Sequence, residues 1–340
     1  MKALKLTNQE TLENIESPIP QPKNGEILIK TAYVGICRTD RKCYHMGQQD
    51  LHMPRILGHE ITGTIAAMGT GVEGYGIGNQ VQIHPGIGCG ICPDCKSGND
   101  QICKDMQIFG FHIDGGFAEY CSIPATGVSR GIVQKVPKKL NLETAALCEP
   151  LACAINMEER LKFQKTDSLL IIGGGVLGLL TAALAQIKGL THIAILEKNL
   201  YKIKVAQDLG FKCYPHTISR EELAKDFPQG FDIAIPCCPD NQGFTTAIDF
   251  LNKRGRFGFF SGLTSDTPIN GKLLNKIHYK ELALFGSYGC GLNHGKKALK
   301  ILAQNPEKFK FPTNIIKLEE ASAVIKNLEI ENTIFTTIKF

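Results

Sequence analysis

The sequence predicts an α/β protein in which a doubly wound parallel-sheet domain is inserted into a β-rich domain. Three observations predict it. The first half carries short alternating apolar runs broken by glycine, proline and asparagine. The middle alternates strand with helix. The last stretch is too short for a core of its own. At 340 residues, two domains are the expectation.

Met1–Thr7 alternates like a strand, as do Glu26–Tyr33, Glu60–Ala67, Asn79–His84 and Phe117–Ile123. Turn residues separate these runs at Pro22–Gly25, Gly69–Gly78 and Pro85–Gly90, which suits a partly closed β domain. The texture changes near Leu151. An apolar strand at Ser168–Ile172 runs into a glycine turn, and Val176–Lys188 places apolar residues on one helical face. Next come a strand at His192–Glu197, a helix at Leu200–Leu209 and a strand at Phe231–Cys237. A helix near Phe244–Leu251 and a strand at Arg256–Gly262 complete the series. Such alternation builds a parallel sheet with right-handed crossovers. After Gly286 the chain reads as one helix, His294–Ala303, then short extended pieces ending in Thr333–Lys339. This tail returns to the first domain. Residues 1–152 with 288–340 are therefore assigned to the β-rich domain and 153–287 to the inserted one.

Composition narrows the function. The net charge of +5 is mild, and the late lysines Lys296, Lys297, Lys300, Lys308 and Lys310 read as a solvated face rather than a nucleic-acid footprint. No window approaches the roughly 18 uninterrupted apolar residues of a membrane helix, and the N-terminus has no apolar signal core. A cytoplasmic protein with neither nucleic-acid nor membrane partners is expected. Its thirteen cysteines are an odd number, with four of them crowded between Cys89 and Cys103, which in a reducing compartment points to metal.

That crowd is Cys89-Gly-Ile-Cys92-Pro-Asp-Cys95 followed by Cys103. Two-residue gaps let neighbouring thiolates bend round one ion, and the longer gap closes the loop. Four sulfurs with no open position describe a structural zinc site that holds a loop and does no chemistry. An empty thiol cluster or an iron–sulfur ligand set is the alternative.

Gly173-Gly174-Gly175-Val176-Leu177-Gly178 fits G-x-G-x-x-G after an apolar strand and at the start of a helix. Gly173 permits the turn, Gly175 lets the backbone approach a pyrophosphate, and Gly178 lets helix and strand pack closely. Glu197 ends the next strand about twenty residues on, where a carboxylate can accept both ribose hydroxyls and repel a 2′-phosphate. That favours NAD over NADP, although Lys198 and Lys202 nearby weaken the preference. Without a ligand, the same residues make a glycine-rich βα turn with an acid facing solvent.

Three further fragments carry donors: Gly35-Ile-Cys37-Arg-Thr39-Asp40, Gly58-His59-Glu60 and Cys148-Glu149-Pro150-Leu151-Ala152-Cys153. Each is weak singly. In this order, around the cysteine lobe and before the glycine fingerprint, they resemble the zinc-containing medium-chain dehydrogenase/reductase superfamily over nearly the whole chain. Glu-Pro-Leu-Ala at Glu149 is more similar to the sorbitol, threonine and polyol dehydrogenases than to ethanol-type enzymes.

The resemblance implies a GroES-like catalytic domain carrying an inserted Rossmann domain, two zinc ions per chain, and a homodimer or homotetramer. It implies that Cys37 and His59 ligate the catalytic zinc, with Glu60 or Glu149 as the third protein contact. The implied chemistry is interconversion of a secondary alcohol, such as a polyol or cyclitol, with its ketone. A divalent cation lowers the pKa of a hydroxyl it holds, and a deprotonated alcohol is the better hydride donor. Thr39 resembles the start of the family's proton relay. Lys42 stands where many relatives carry a histidine, with His45 beyond. Arg38 would contact the pyrophosphate or simply face solvent. Tyr44, Phe109, Phe111 and Gly286–Cys290 are candidates for reading the substrate. Gly289-Cys290 stands where sorbitol enzymes commonly have Arg-Tyr, which argues against sorbitol itself. A same-fold reductase of an activated carbonyl or double bond, or a non-catalytic NAD-binding protein, are the alternatives.

Overall fold

The computed structural model describes residues 1–263, 270–327 and 332–340. They form two units, one of Met1–Ala152 with Cys290–Phe340 and the other of Cys153–Gly289.

The first unit is built on one large sheet. Its order is Val133–Lys135, Gln80–Ile83, Glu60–Met68, Ile27–Gly35, Phe335–Lys339 and Thr313–Ile316, with Tyr120–Ile123 also paired to Ile27–Gly35. A smaller sheet joins Lys2–Asn8 to Thr11–Glu16 and Arg55–Ile56. Alternation explains the core. Ile27, Ile29, Ile61, Ile65, Val81 and Ile83 recur at period two and meet Leu4, Leu6 and Phe117 out of water. Each such side chain contributes about 1.5–3 kcal/mol on burial.

The helices that sequence pattern had not marked include Leu318–Asn327 and Cys148–Leu161. Leu318–Asn327 is helical where short extended pieces were expected, because Leu318, Ala321, Val324 and Ile325 are spaced to bury one face. Cys148–Leu161 is also a helix and starts on the Cys-Glu-Pro-Leu-Ala segment.

The second unit holds a six-stranded parallel sheet. Its order is Lys212–Pro215, His192–Glu197, Ser168–Ile172, Phe231–Pro236, Leu251–Phe259 and Ala283–Gly286. The order reverses beside Ser168–Ile172, so the glycine turn that follows this strand lies at the topological switch point, where such sheets bind ligands. Sequence pattern had not marked Lys212–Pro215, Arg220–Asp226, Gly271–Lys280 or Ala283–Gly286. The helix expected near Phe244 begins at Asn241, because Asp240 caps it by accepting the Gln242 N–H. Among the described residues no helix is long and apolar enough to cross a membrane.

Candidate metal and cofactor sites

The cysteine lobe closes on itself. Ligand atoms of Cys89, Cys92, Cys95 and Cys103 all lie within 4.8 Å of one another. The Cys89–Cys95 and Cys92–Cys103 sulfur separations are 4.0 and 3.9 Å. Four sulfurs about 2.3 Å from a central zinc would stand roughly 3.8 Å apart, so the cradle fits a tetrahedral ion. Backbone supports the thiolates. The N–H groups of Cys89, Cys92 and Cys95 each donate to a cysteine sulfur at 3.4 Å. N–H groups of Ile91 and Cys92 pull Cys89 down to about 6, while burial pushes Cys95 up to about 12. Asp100 in the lobe accepts the Leu292 N–H through both carboxylate oxygens, at 3.3 and 3.1 Å. The lobe is thereby tied to the first turn of helix Leu292–Gln304.

A second donor set forms where two elements of the large sheet end. Cys37 caps helix Arg38–Met46, just after strand Ile27–Gly35. His59 and Glu60 open the neighbouring strand Glu60–Met68. Ligand atoms of Cys37, His59 and Glu60 lie within 4.8 Å of one another. The surroundings make this a site that wants a cation. Burial, then Asp40 and Glu149, push the Cys37 thiol up to about 12. Burial, then Cys37 and Glu149, push Glu60 well above the carboxylate range. Burial pulls His59 down, but Asp40, Glu149 and Glu60 together raise it. Glu60 Oε2 and His59 Nδ1 are buried without a hydrogen bond. A thiol, an imidazole and a carboxyl crowded out of water are costly unless compensated, and a divalent cation would reverse each of these pressures.

Asp40 organises the set, and sequence reasoning assigned it no role. It is fully buried. Its Oδ2 accepts the Cys37 N–H at 2.8 Å, the Gly58 N–H also supports it, and Oδ1 stands 3.7 Å from His59 Nδ1. One carboxylate thus holds the backbone of both ligand segments and stands beside an imidazole nitrogen of His59. Its three-residue spacing from Cys37, a capping-box offset, was the available signal.

Glu149 lies outside the Cys37–His59–Glu60 trio. Its Oε1 is 4.0 Å from the Cys290 sulfur, while its charge still acts on all three donors. Thr39 Oγ1 and N–H both stand 3.5 Å from the Cys37 sulfur. Beyond Thr39 the relay residues are otherwise engaged: Lys42 donates to Gln48 at 3.3 Å, and His45 contacts Glu10 at 3.2 Å and the Lys326 carbonyl at 3.4 Å. The aromatic candidates Tyr44, Phe109 and Phe111 all belong to the hydrophobic core, and Phe111 also packs 5.6 Å from the His59 ring. Arg38 is exposed.

In the second unit the glycine turn is shaped by close approach. Gly173 has φ +108°, and a Cβ at Gly178 would stand 1.9 Å from the Gly173 carbonyl oxygen. A Cβ at Gly175, the N-cap of helix Val176–Ile187, would meet nothing within 4 Å. Gly173 and Gly178 are therefore required by the fold, while Gly175 leaves open space before the helix N-terminus formed by Val176 and Leu177. Glu197 folds back on the turn and accepts the Gly174 N–H at 2.5 Å. The Lys202 N–H is held by the Asn199 cap at 3.2 Å.

Comparison with known proteins identifies the family and the fold. Residues 23–136 match the alcohol dehydrogenase GroES-like domain, and residues 176–304 match the zinc-binding dehydrogenase family. An L-threonine 3-dehydrogenase of Chromobacterium violaceum is 28% identical over 298 residues, covering 85% of this chain and 84% of the relative. A 2-dehydro-3-deoxy-L-galactonate 5-dehydrogenase of Pseudoalteromonas atlantica is 27% identical, covering 97% and 95%. The solved structure of a zinc-binding dehydrogenase from Sinorhizobium meliloti, bound to NADP, superposes with a TM-score of 0.89 at 27% identity, covering 100% of this chain and 99% of that one. The chain belongs to the zinc-containing medium-chain dehydrogenase/reductase family. It is an oxidoreductase of alcohols, with a GroES-like domain and a Rossmann-like domain.

Proposed function

We propose that this chain interconverts a secondary alcohol of the polyol, cyclitol or hydroxy-acid type with its ketone, using zinc and NAD. The observation that carries the reading is the buried trio of Cys37, His59 and Glu60, whose orphaned polar atoms suit a divalent cation. Cys37, His59 and Glu60 would hold the catalytic ion, with Glu149 acting from further away, and the four lobe cysteines would hold a second, structural one. When bound, zinc supplies a Lewis acid that makes a hydroxyl more acidic. A bound NAD, which the Gly175–Leu177 turn and Glu197 would hold, would supply the hydride acceptor.

The chain's own residues do the rest. Asp40 fixes the ligand backbone and the His59 ring. Phe111 walls the imidazole from water. The Thr39 hydroxyl, beside the Cys37 sulfur, accepts the proton that leaves the alcohol and gives up its own to solvent water. Gly175, Val176 and Leu177 offer N–H groups to the pyrophosphate, Glu197 accepts the adenosine ribose hydroxyls, and Lys202 lies at the rim. In this assignment the Met1–Ala152 and Cys290–Phe340 unit is the catalytic domain, and the Cys153–Gly289 unit the NAD domain.

The edge strand Ala283–Gly286, with Leu284 and nearby Tyr279 exposed, supports a homodimer through the parallel sheet. Thirteen free thiols support the cytoplasm as its compartment.

The deciding experiment measures NADH formation across polyols, cyclitols, amino alcohols, diols and hydroxy acids, alongside zinc content. About two zincs per chain and NADH from a secondary alcohol are expected, and Cys37→Ala is expected to lose one zinc and the activity. Full activity and full zinc content in Cys37→Ala would overturn the assignment.

A further inference from the structure

Strand His192–Glu197 ends in an acid and is followed at once by a cation. The acid is committed: Glu197 Oε2 accepts the Gly174 N–H at 2.5 Å, and Oε1 accepts the N–H groups of Lys198 and Asn199 at 2.7 and 2.8 Å. Three backbone N–H groups are thereby held by one carboxylate. Lys198 sits at the position where, in a dinucleotide fold, a free cation would welcome the 2′-phosphate of NADP.

Lys198 is not free. Its Nζ is paired with Oδ2 of Asp240, in the loop after strand Phe231–Pro236. The other oxygen of that carboxylate, Oδ1, accepts the Gln242 N–H at 2.9 Å and caps helix Asn241–Phe250. Asp240 is held by the helix it caps, so it offers a fixed anion rather than a wandering one. The same loop packs on the glycine turn, since a Cβ at Gly173 would meet the Cys237 carbonyl at 3.1 Å and Cys238 Cβ at 3.5 Å.

We infer that Asp240 is a positioning residue for cofactor choice, which holds the Lys198 ammonium away from the adenosine 2′ position and leaves Glu197 to select NAD. The inference rests on the proposed role of Glu197 at the adenosine ribose. The pair is partly exposed, at 56% for Lys198 and 32% for Asp240. A pair of that kind is worth up to about fivefold in an equilibrium, so Asp240 would tune selectivity, while Glu197 sets its sign.

The test is calorimetric binding of NAD and NADP to the intact chain, as wild type, Asp240→Asn, Lys198→Ala and the double variant. Asparagine keeps the cap and removes the charge. Asp240→Asn is expected to raise the ratio of NADP to NAD affinity about three- to fivefold. The double variant is expected to lose that gain, and Lys198→Ala alone to shift the ratio less than about twofold. A merely structural role for Asp240 would weaken both cofactors together and leave the ratio fixed. The masking is overturned if the ratio does not move in Asp240→Asn, or moves equally in the double variant, while wild type still prefers NAD. A wild type that binds NADP more tightly than NAD would overturn the masking and the Glu197 reading together.

Discussion

Gly35 and Glu60 are partners in the antiparallel register, and the Glu60 carboxylate fills the space that a side chain at 35 would need. An added Cβ there would stand 1.7 Å from Glu60 Oε2 and 2.8 Å from the Phe335 ring. The glycine before Ile36-Cys37 thus makes room for a donor on the next strand.

Gly35→Ala is therefore expected to push Glu60 out of the donor set. The fold should survive at a cost of about 1–3 kcal/mol, while kcat falls at least tenfold. Metal analysis should show the lobe ion kept and the other weakened. An unchanged kcat with two tightly held zincs would count against Glu60 as a ligand.

Asp40→Asn should separate support from ligation. The variant keeps a buried hydrogen-bonding group near Cys37 but removes the charge that faces His59. Loss of such an outer partner is expected to weaken metal binding about 10–100-fold. Competition with a chromophoric chelator measures this. Equal zinc retention in variant and wild type would restrict Asp40 to helix capping.

The two glycines of the fingerprint should fail differently. Gly178→Ala forces a Cβ against the Gly173 carbonyl and is expected to destabilise the second unit by several kcal/mol. Gly175→Ala meets open space at an ordinary φ of −74°, so its melting temperature should hold while NAD binding weakens roughly tenfold or more. Thermal melts with and without NAD read both effects. Undiminished NAD affinity in Gly175→Ala would argue against pyrophosphate at this turn.

Acid sensitivity should have one source at His84. Burial, with His294 and Lys296 adding to it, pulls this histidine from 6.5 down to about 3. The unfolded chain takes up a proton between these values and the folded chain does not. The neutral ring's contribution is thus complete above about pH 6.5 and is lost progressively as pH falls toward about 3. His84→Gln, which cannot titrate, is expected to show a shallower loss of urea stability between about pH 6.5 and about pH 4.5. Parallel pH profiles for variant and wild type would exclude His84.

Much of the chemistry was legible because it is written in short spacings. The lobe cysteines sit two or seven residues apart, and the glycine turn with Glu197 follows a strand–helix–strand rhythm, so local order specifies both. The choice between Glu60 and Glu149 was not legible. Both follow a donor residue in a motif, and only the pairing of strands 27–35 and 60–68 brings Glu60 to Cys37. Asp40 was hidden for the same reason, since its value lies in burial and in reaching Gly58 on another segment. Phe109 and Phe111 look alike in sequence and both enter the core, yet Phe111 also meets His59. Helix 318–327 carried its periodicity openly. Its stripe is nevertheless only four buried residues, two of them the β-branched Val324 and Ile325, which favour an extended reading.

Strand Phe335–Lys339 lies inside the large sheet, between Ile27–Gly35 and Thr313–Ile316, rather than along its edge. During synthesis the sheet that carries Cys37 and Glu60 must wait, with Ile27–Gly35 left as an open edge, for segments made nearly three hundred residues later. The parallel-sheet unit has no such debt and can settle first. The metal centre would then be among the last parts of the molecule to take shape on the ribosome.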